Sequence, residues 1–307
     1  MADPRPIGVF DSGVGGLTVL REILRRSPAE STIYLGDNAR APYGVRDDDE
    51  VRTFAGQGLD ALADRDVKAI VVACNTVSAV ALGDLRRRYD LPILGVVRPG
   101  ASAAALATRN RRVGVIATPA TVRSHAYFAA IKEENPALEV YEHATPALVP
   151  MVEAGELDGA DVESTVRTSL APLLGERTTD GEFVFPLPAS ARVDTLLLGC
   201  THYPLLRPVL ARLTGERIAI VDSATATASA LAELLVVNGL EAPGTTRGTA
   251  ADAGERGHER PAGIATPPSH RQLTTGDPAA FRTIAARLFG DDVAAPDAID
   301  LEPAAVS

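Results

Sequence analysis

Short, largely apolar runs alternate along the chain with longer amphipathic or polar stretches. The runs fall at residues 7–10, 31–36, 69–72, 92–96, 112–116, 138–141, 195–198 and 218–221. They are rich in Val, Ile and Leu and lack a period of two, which suits parallel strands covered by helices on both faces. Between them, apolar residues at helical spacing predict helices over 17–26, 45–64, 122–132, 159–174, 224–237 and 278–288. Two more follow residue 74, reaching about 89, and the Arg98-Pro99-Gly100 triplet, which opens an alanine-rich segment. Strand and helix in alternation predict an α/β fold. Residues 145–156 read as a short helix or loop, 175–192 as an irregular polar loop and 273–275 as an edge strand. Residues 239–271 carry Gly, Pro, Ala, Thr and charge without apolar periodicity and read as a flexible insertion; the acidic Ala/Pro-rich tail reads as disordered.

Two of the predicted strands end in a thiol. Ala-Ile-Val-Val-Ala-Cys-Asn-Thr-Val-Ser at 69–78 and Thr-Leu-Leu-Leu-Gly-Cys-Thr-His-Tyr-Pro-Leu-Leu at 195–206 share one grammar: an apolar strand, a small residue, a cysteine and a polar pair. Carboxyl ends of strands in open α/β sheets are where ligands bind. The pairs Asn75-Thr76 and Thr201-His202 are expected to cap the following helices, leaving N–H groups and a positive terminus that favour thiolate. A lone buried cysteine is commonly a small apolar residue. Two, each at a strand end before polar residues, point to chemistry.

Other strand ends carry weaker signals. Asp11-Ser12-Gly13-Val14-Gly15-Gly16 lets a turn pass close to a ligand, but its spacing is neither Gly-x-Gly-x-x-Gly nor a Walker loop, and it also reads as a tight turn with Asp11 or Ser12 capping the helix. The Pro42-Tyr43-Gly44 turn offers a hydroxyl and amides, or plain turn chemistry. Thr118-Pro119 makes a good helix start. His125 and His143 have no partners at metal-ligand spacing, and only Cys200 and His202 lie close together, so no metal site is expected. The absence of Cys-x-x-Cys argues against a disulfide redox protein.

A chain of 307 residues, 46% hydrophobic and 23% charged, has room for one large or two medium α/β domains. Its net charge of −10 argues against a nucleic-acid surface and means that an acidic ligand must be held by local dipoles. Two cysteines far apart do not make a disulfide framework, which suggests a reducing cytoplasm. The N-terminal residues lack a signal-peptide core, and no apolar run approaches the ~18 residues of a membrane span.

The motifs, taken in order, resemble the glutamate racemases of bacterial cell-wall synthesis, within the cofactor-independent aspartate/glutamate racemase superfamily. The matching segments begin at Gly8, Gly36, Ala73, Leu148, Leu198 and Val221, and Thr275-Gly-Asp-Pro with the last helix also fits. The resemblance implies two similar α/β domains with mainly parallel sheets flanked by helices and the active site in the cleft between them. The first would comprise residues 1–97 and 222–307, the second 98–221. Cys74 and Cys200 would be the catalytic acid/base pair, acting on D- and L-glutamate respectively, with Asp11 assisting the first and His202 the second. Ser12, Tyr43, Gly44, Asn75, Thr76 and Thr201 would hold the amino acid together with Asp11 and His202; Thr118 and Thr121 would add contacts, and Glu153 would support His202. No cofactor is implied, and a homodimer is. Some members of the family inhibit DNA gyrase, which no feature of this sequence supports. Aspartate or another amino acid as substrate, and a binding role on the same fold, are the alternatives. Thr145 stands where the family often has cysteine, Asn38 where it has threonine, and the 239–271 stretch has no counterpart.

The chemistry fits the residue types. Inverting an α-carbon requires removing a proton from one face and returning one to the other, which two fixed groups do without moving. A thiol, with an ordinary pKa of about 8.5, both gives and takes protons near neutrality. The carbanion must be stabilised by preorganised donors, each worth up to about 3–4 kcal/mol in a dry site.

Overall fold

The computed structural model describes residues 2–174, 176–177, 183–184, 192–243, 267–290 and 293–301. Its first sheet begins with β1 (Ile7–Asp11), followed by α1 (Leu17–Arg26), β2 (Thr32–Gly36), α2 (Asp48–Ala63) and β3 (Ala69–Val72). Two short helices, α3 (Asn75–Val80) and α4 (Leu82–Arg88), lead to β4 (Ile93–Gly95). The strands are parallel, and their apolar runs are unbroken because both faces are covered. Ile7 and Val9 face a layer that includes Leu17, Leu20 and Ile23 of α1, whereas Phe10, in the opposite phase of the strand, faces Val51, Leu59 and Leu62 of α2.

The helix α5 (Val97–Ala107) carries the chain into a second parallel sheet. There β5 (Arg112–Ala117), α6 (Pro119–Arg123), α7 (Ala126–Glu134), β6 (Glu139–Ala144), α8 (Leu148–Glu153) and α9 (Ala160–Leu174) follow. A small antiparallel pair, β7 (Glu176–Arg177) with β8 (Phe183–Val184), precedes β9 (Thr195–Gly199), α10 (Arg207–Thr214) and β10 (Ala219–Asp222). The order is β10-β9-β5-β6. The chain returns through α11 (Ser223–Asn238), which packs on α1 and α5, to β11 (His270–Thr274), α12 (Pro278–Phe289) and β12 (Asp297–Ala298). The first sheet then reads β12-β11-β2-β1-β3-β4. The α/β class with two helix-flanked parallel sheets agrees with the expectation from the sequence.

Several local expectations are corrected. The helix expected from residue 45 starts at Asp48, because Asp47 accepts the Glu50 N–H at 2.8 Å and caps it. The helix expected through to residue 89 is two, separated at Ala81. Neither Asp11 nor Ser12 caps α1, and no side chain of the Asn75-Thr76 pair caps α3, whose N-cap is Cys74 itself. Thr201-His202 leads into a 3₁₀ turn, Tyr203–Leu206, without a side-chain cap. The 175–192 stretch is not wholly irregular, since β7 and β8 lie in it.

The strand read as 273–275 begins at His270 and is not at the edge: β12 pairs with it at Leu273 and Thr274. That places part of the tail in the sheet, with Ile299 and Leu301 packed on the core, while 302–307 lie outside the described residues. Of the 239–271 stretch, 244–266 also lie outside. Its described ends are tied in, with the Ala242 N–H donating to Glu30 at 2.8 Å and His270–Arg271 paired to β2.

Glu30 also anchors the far end of the first sheet. Its carboxylate meets Lys68 Nζ at 2.5 Å with both side chains almost fully buried, and Lys68 donates to the Asp3 carbonyl at 2.8 Å. Removing one partner would leave an uncompensated charge in the interior. Lys68→Met is expected to lower unfolding stability by about 3–5 kcal/mol, and adding Glu30→Leu to restore most of it, both measured by urea denaturation.

Candidate active site

Because every strand of both main sheets is parallel, their carboxyl ends gather on one side of each sheet. Cys74 follows β3 by one residue and Cys200 follows β9 directly, and both are buried. Both line one cavity of ≈ 630 Å³, solvent mouth included. Ser12, Gly44, Asn75, Thr76, Thr118, Glu153, Thr201 and His202 line it with them. The two sheets meet tightly around it. A Cβ at Gly15 would lie 2.4 Å from Thr201 Oγ1 and 2.6 Å from His202 Cε1, and one at Gly44 would lie 2.6 Å from Thr118 Cβ. Only glycine permits these approaches. The Thr18 hydroxyl bridges the same contact, donating to the Thr201 carbonyl at 3.1 Å.

The two thiols sit in opposite electrostatic surroundings. Cys200 Sγ lies 3.7 Å from His202 Nδ1, and His202 Nε2 lies 3.1 Å from Glu153 Oε1. Burial alone would push the His202 pKa down, but its partners Cys200 and Glu153 outweigh that and raise it from 6.5 to about 10. A doubly protonated ring is the form that donates at both nitrogens, toward sulfur and toward carboxylate. Cys200 therefore faces a cation at neutral pH.

Among the described residues no cation stands beside Cys74. Its sulfur lies 3.5 Å from Ser12 Oγ, and the Val77 N–H at the start of α3 also reaches it. These donors favour thiolate, yet burial, reinforced by the charge of Asp11, pushes the thiol up to about 12. The expectation that a helix terminus would favour thiolate is thus corrected for Cys74: full desolvation outweighs the amides of a six-residue helix. Asp11 is itself wholly buried, accepts the Gly13 N–H at 2.9 Å, and has its pKa raised by burial, opposed by the charge of His202.

The remaining predicted residues divide into wall and support. Thr76, Thr118 and Thr121 form a triangle of hydroxyls 3.0–3.3 Å apart, with Thr121 fully buried behind the other two. Asn75 lines the cavity and donates its side-chain amide to the Tyr127 hydroxyl at 2.6 Å. Asp11 and Thr121 are behind the lining, and so is Tyr43. The Tyr43 hydroxyl, expected to face a ligand, donates instead to Asp37, which also accepts from Arg40 at 2.7 Å and Thr275 at 2.6 Å. Asp37 escaped the sequence reading although it stands at a strand end, where Asp11 drew notice. Thr145, Pro146 and Val149 were also missed as lining residues, and the strand end at Ala144 was the available signal. His125 pairs with Glu142 at 2.8 Å, away from the cavity. Among the described residues no group of three His, Cys, Asp or Glu side chains is arranged to hold a metal ion, and no helix is long and apolar enough to cross a membrane.

Comparison with known proteins is consistent across sequence and structure. The family model described as Asp/Glu/Hydantoin racemase matches residues 7–231. A glutamate racemase of Geobacter metallireducens is 47% identical over 75% of this chain and 80% of its own. One from Listeria monocytogenes is 45% identical over 75% of this chain and 80% of its own. Among solved structures, glutamate racemase RacE1 of Bacillus anthracis superposes with a TM-score of 0.80 at 38% identity, covering 97% of this chain and 98% of that one. The Francisella tularensis glutamate racemase in complex with D-glutamate gives 0.79 at 32% identity, covering 98% and 99%. An aspartate racemase of Picrophilus torridus, 17% identical with a TM-score of 0.51 over 75% of this chain and 93% of that one, shares the fold.

The raised His202 pKa has a measurable consequence for folding. A group whose folded pKa exceeds its unfolded value contributes stability that is fully present below the unfolded pKa and lost as pH rises through the folded one. For His202 that window runs from 6.5 to about 10. Cys74 acts in the same direction, but between 9.0 and about 12. Urea midpoints are expected to fall from pH 6.5 to 9 in the wild type and to stay nearly flat in His202→Gln.

Proposed function

We propose that this chain, which belongs to the Asp/Glu/Hydantoin racemase family, interconverts L- and D-glutamate without a cofactor, using Cys200 and Cys74 as its two acid/base groups. Family membership makes it an isomerase. The observation that carries the mechanism is the contrast between the thiols: both line one cavity, Cys200 3.7 Å from the Glu153-paired His202 ring and Cys74 3.5 Å from the Ser12 hydroxyl.

In the L-to-D direction the Cys200 thiolate takes the α-proton, with the His202 imidazolium as counter-charge and Glu153 holding that ring. The electron pair left on the α-carbon spreads into the carboxylate as an enediolate. Backbone N–H groups at the start of α3 and the hydroxyls of Thr76 and Thr201 stabilise it, each donor worth about 3–4 kcal/mol in a dry site. The Cys74 thiol returns a proton to the opposite face, leaving Cys200 as thiol and Cys74 as thiolate. The D-to-L direction runs the same transfers backwards. A neutral Cys74 opposite a cation-supported Cys200 is the arrangement poised for L-glutamate.

Glutamate as substrate is supported by relatives at 45% and 47% identity and by the structural likeness to the enzyme crystallised with D-glutamate. Among the described residues no lysine or arginine lines the cavity, so neutral donors around Gly44, Thr76 and Thr118 would receive the side-chain carboxylate. We take residues 1–97 with 222–307 and residues 98–221 as the two bodies that close on the substrate and exclude water. Family resemblance alone supports a homodimer, a cytoplasmic location and the use of D-glutamate in peptidoglycan.

Protein incubated with each glutamate enantiomer in D2O, without added cofactor or metal, is expected to invert it and to place deuterium at the α-carbon. Cys74→Ala and Cys200→Ala are each expected to abolish turnover with the fold retained by circular dichroism. Normal racemisation by either variant overturns the two-thiol assignment, and faster turnover of aspartate overturns the substrate.

A further inference from the structure

Glu153, which holds His202, lies on α8, and α8 is held from two directions. On one side α8 buries its own Leu148 and Val152 in the core, against α9 and the Tyr203–Leu206 turn. From the first sheet comes α12, fixed by Phe281 against Tyr34 with ring centroids 6.3 Å apart and by buried Ala285 and Leu288. In the last turn of α12, Arg287 Nη1 donates to the Ala154 carbonyl at 2.8 Å and approaches the Glu153 carbonyl at 3.5 Å. These are carbonyls at the end of α8, where a cation completes hydrogen bonding and complements the helix dipole. The arginine stem lies on bare backbone. A Cβ at Gly155, whose φ is +81°, would stand 2.1 Å from Arg287 Cδ.

We propose that Arg287 is a positioning residue for the Cys200 base, setting Glu153, and through it the His202 ring, from the first sheet. The inference rests on the assignment of Cys200 and His202 above. A continuous run of contacts joins the sheet bearing Cys74 to the imidazole beside Cys200: sheet, α12, Arg287, the end of α8, Glu153 and His202. The base is then correctly oriented when the two sheets are docked, as they must be for both thiols to reach one substrate. The charged groups facing His202 are Cys200, Glu153 and, at longer range, Asp11. Arg287 acts on the second of these through the backbone that carries it.

The test compares Arg287→Met, which keeps the stem, with Arg287→Lys, which keeps a cation within reach of the Ala154 carbonyl. Arg287→Met is expected to lower kcat about tenfold in both directions, as a small misplacement of a reacting group does, with KM changed less than about twofold. Its His202 imidazole ¹⁵N resonances should shift and titrate at lower pH than in the wild type, while Arg287→Lys restores both readouts. Wild-type resonances and kcat in folded Arg287→Met would overturn the proposal, as would equal impairment of the two variants. Should Arg287→Met not fold, Arg287→Gln gives the same readings. The resonances report on positioning without turnover, so an active Cys200→Ala variant would sink the base assignment separately.

Discussion

Two buried sulfur atoms line one cavity, and the protein must treat them differently. Burying a thiolate costs far more than burying a thiol, so a symmetrical pocket would leave both protonated and inert. The asymmetry is supplied by one contact, His202 against Cys200, with Glu153 on the other side of the ring. Cys74 has Asp11 in place of a cation and keeps its proton. One cavity thus holds two residues of the same type in different surroundings.

That contact imposes demands on the fold. Parallel sheets are suited to them because each strand delivers its last residue to the same edge, and the two edges face each other across the cavity. Gly15 and Gly44 allow backbone from the first sheet to touch Thr201, His202 and Thr118 of the second. The Asp37 network fixes the Tyr43-Gly44 turn from below through Arg40 and Thr275. Glu153 and His202 lie 49 residues apart in sequence, and α8 brings them together.

The strands were legible because burial on both faces writes itself as an unbroken apolar run, and the cysteines were legible because each follows such a run. Details that depend on depth were not. Nothing in the polar pair after Cys74 reveals that desolvation exceeds the pull of the helix amides, since that balance is set by how completely residues distant in sequence bury the sulfur. The turn at Tyr43 left a ligand contact and plain turn chemistry equally open, because its hydroxyl's partner, Asp37, is close in sequence but shares no pattern with it. The pairing of β12 with β11 was hidden in a short, polar tail segment whose register is fixed by Ile299 and Leu301 settling on the core. Arg287 carried no signal, because its role comes from the carbonyls it meets on a helix more than a hundred residues earlier.

Proton departure and arrival on opposite faces of one carbon, through different sulfur atoms, can be read from the partition of label in the first few per cent of turnover of L-glutamate in D2O. Two fixed bases predict deuterium in the D-glutamate formed while the recovered L-glutamate keeps its protium. Equal label in both enantiomers, or transfer of the original α-hydrogen into the product, would show that a single base serves both faces.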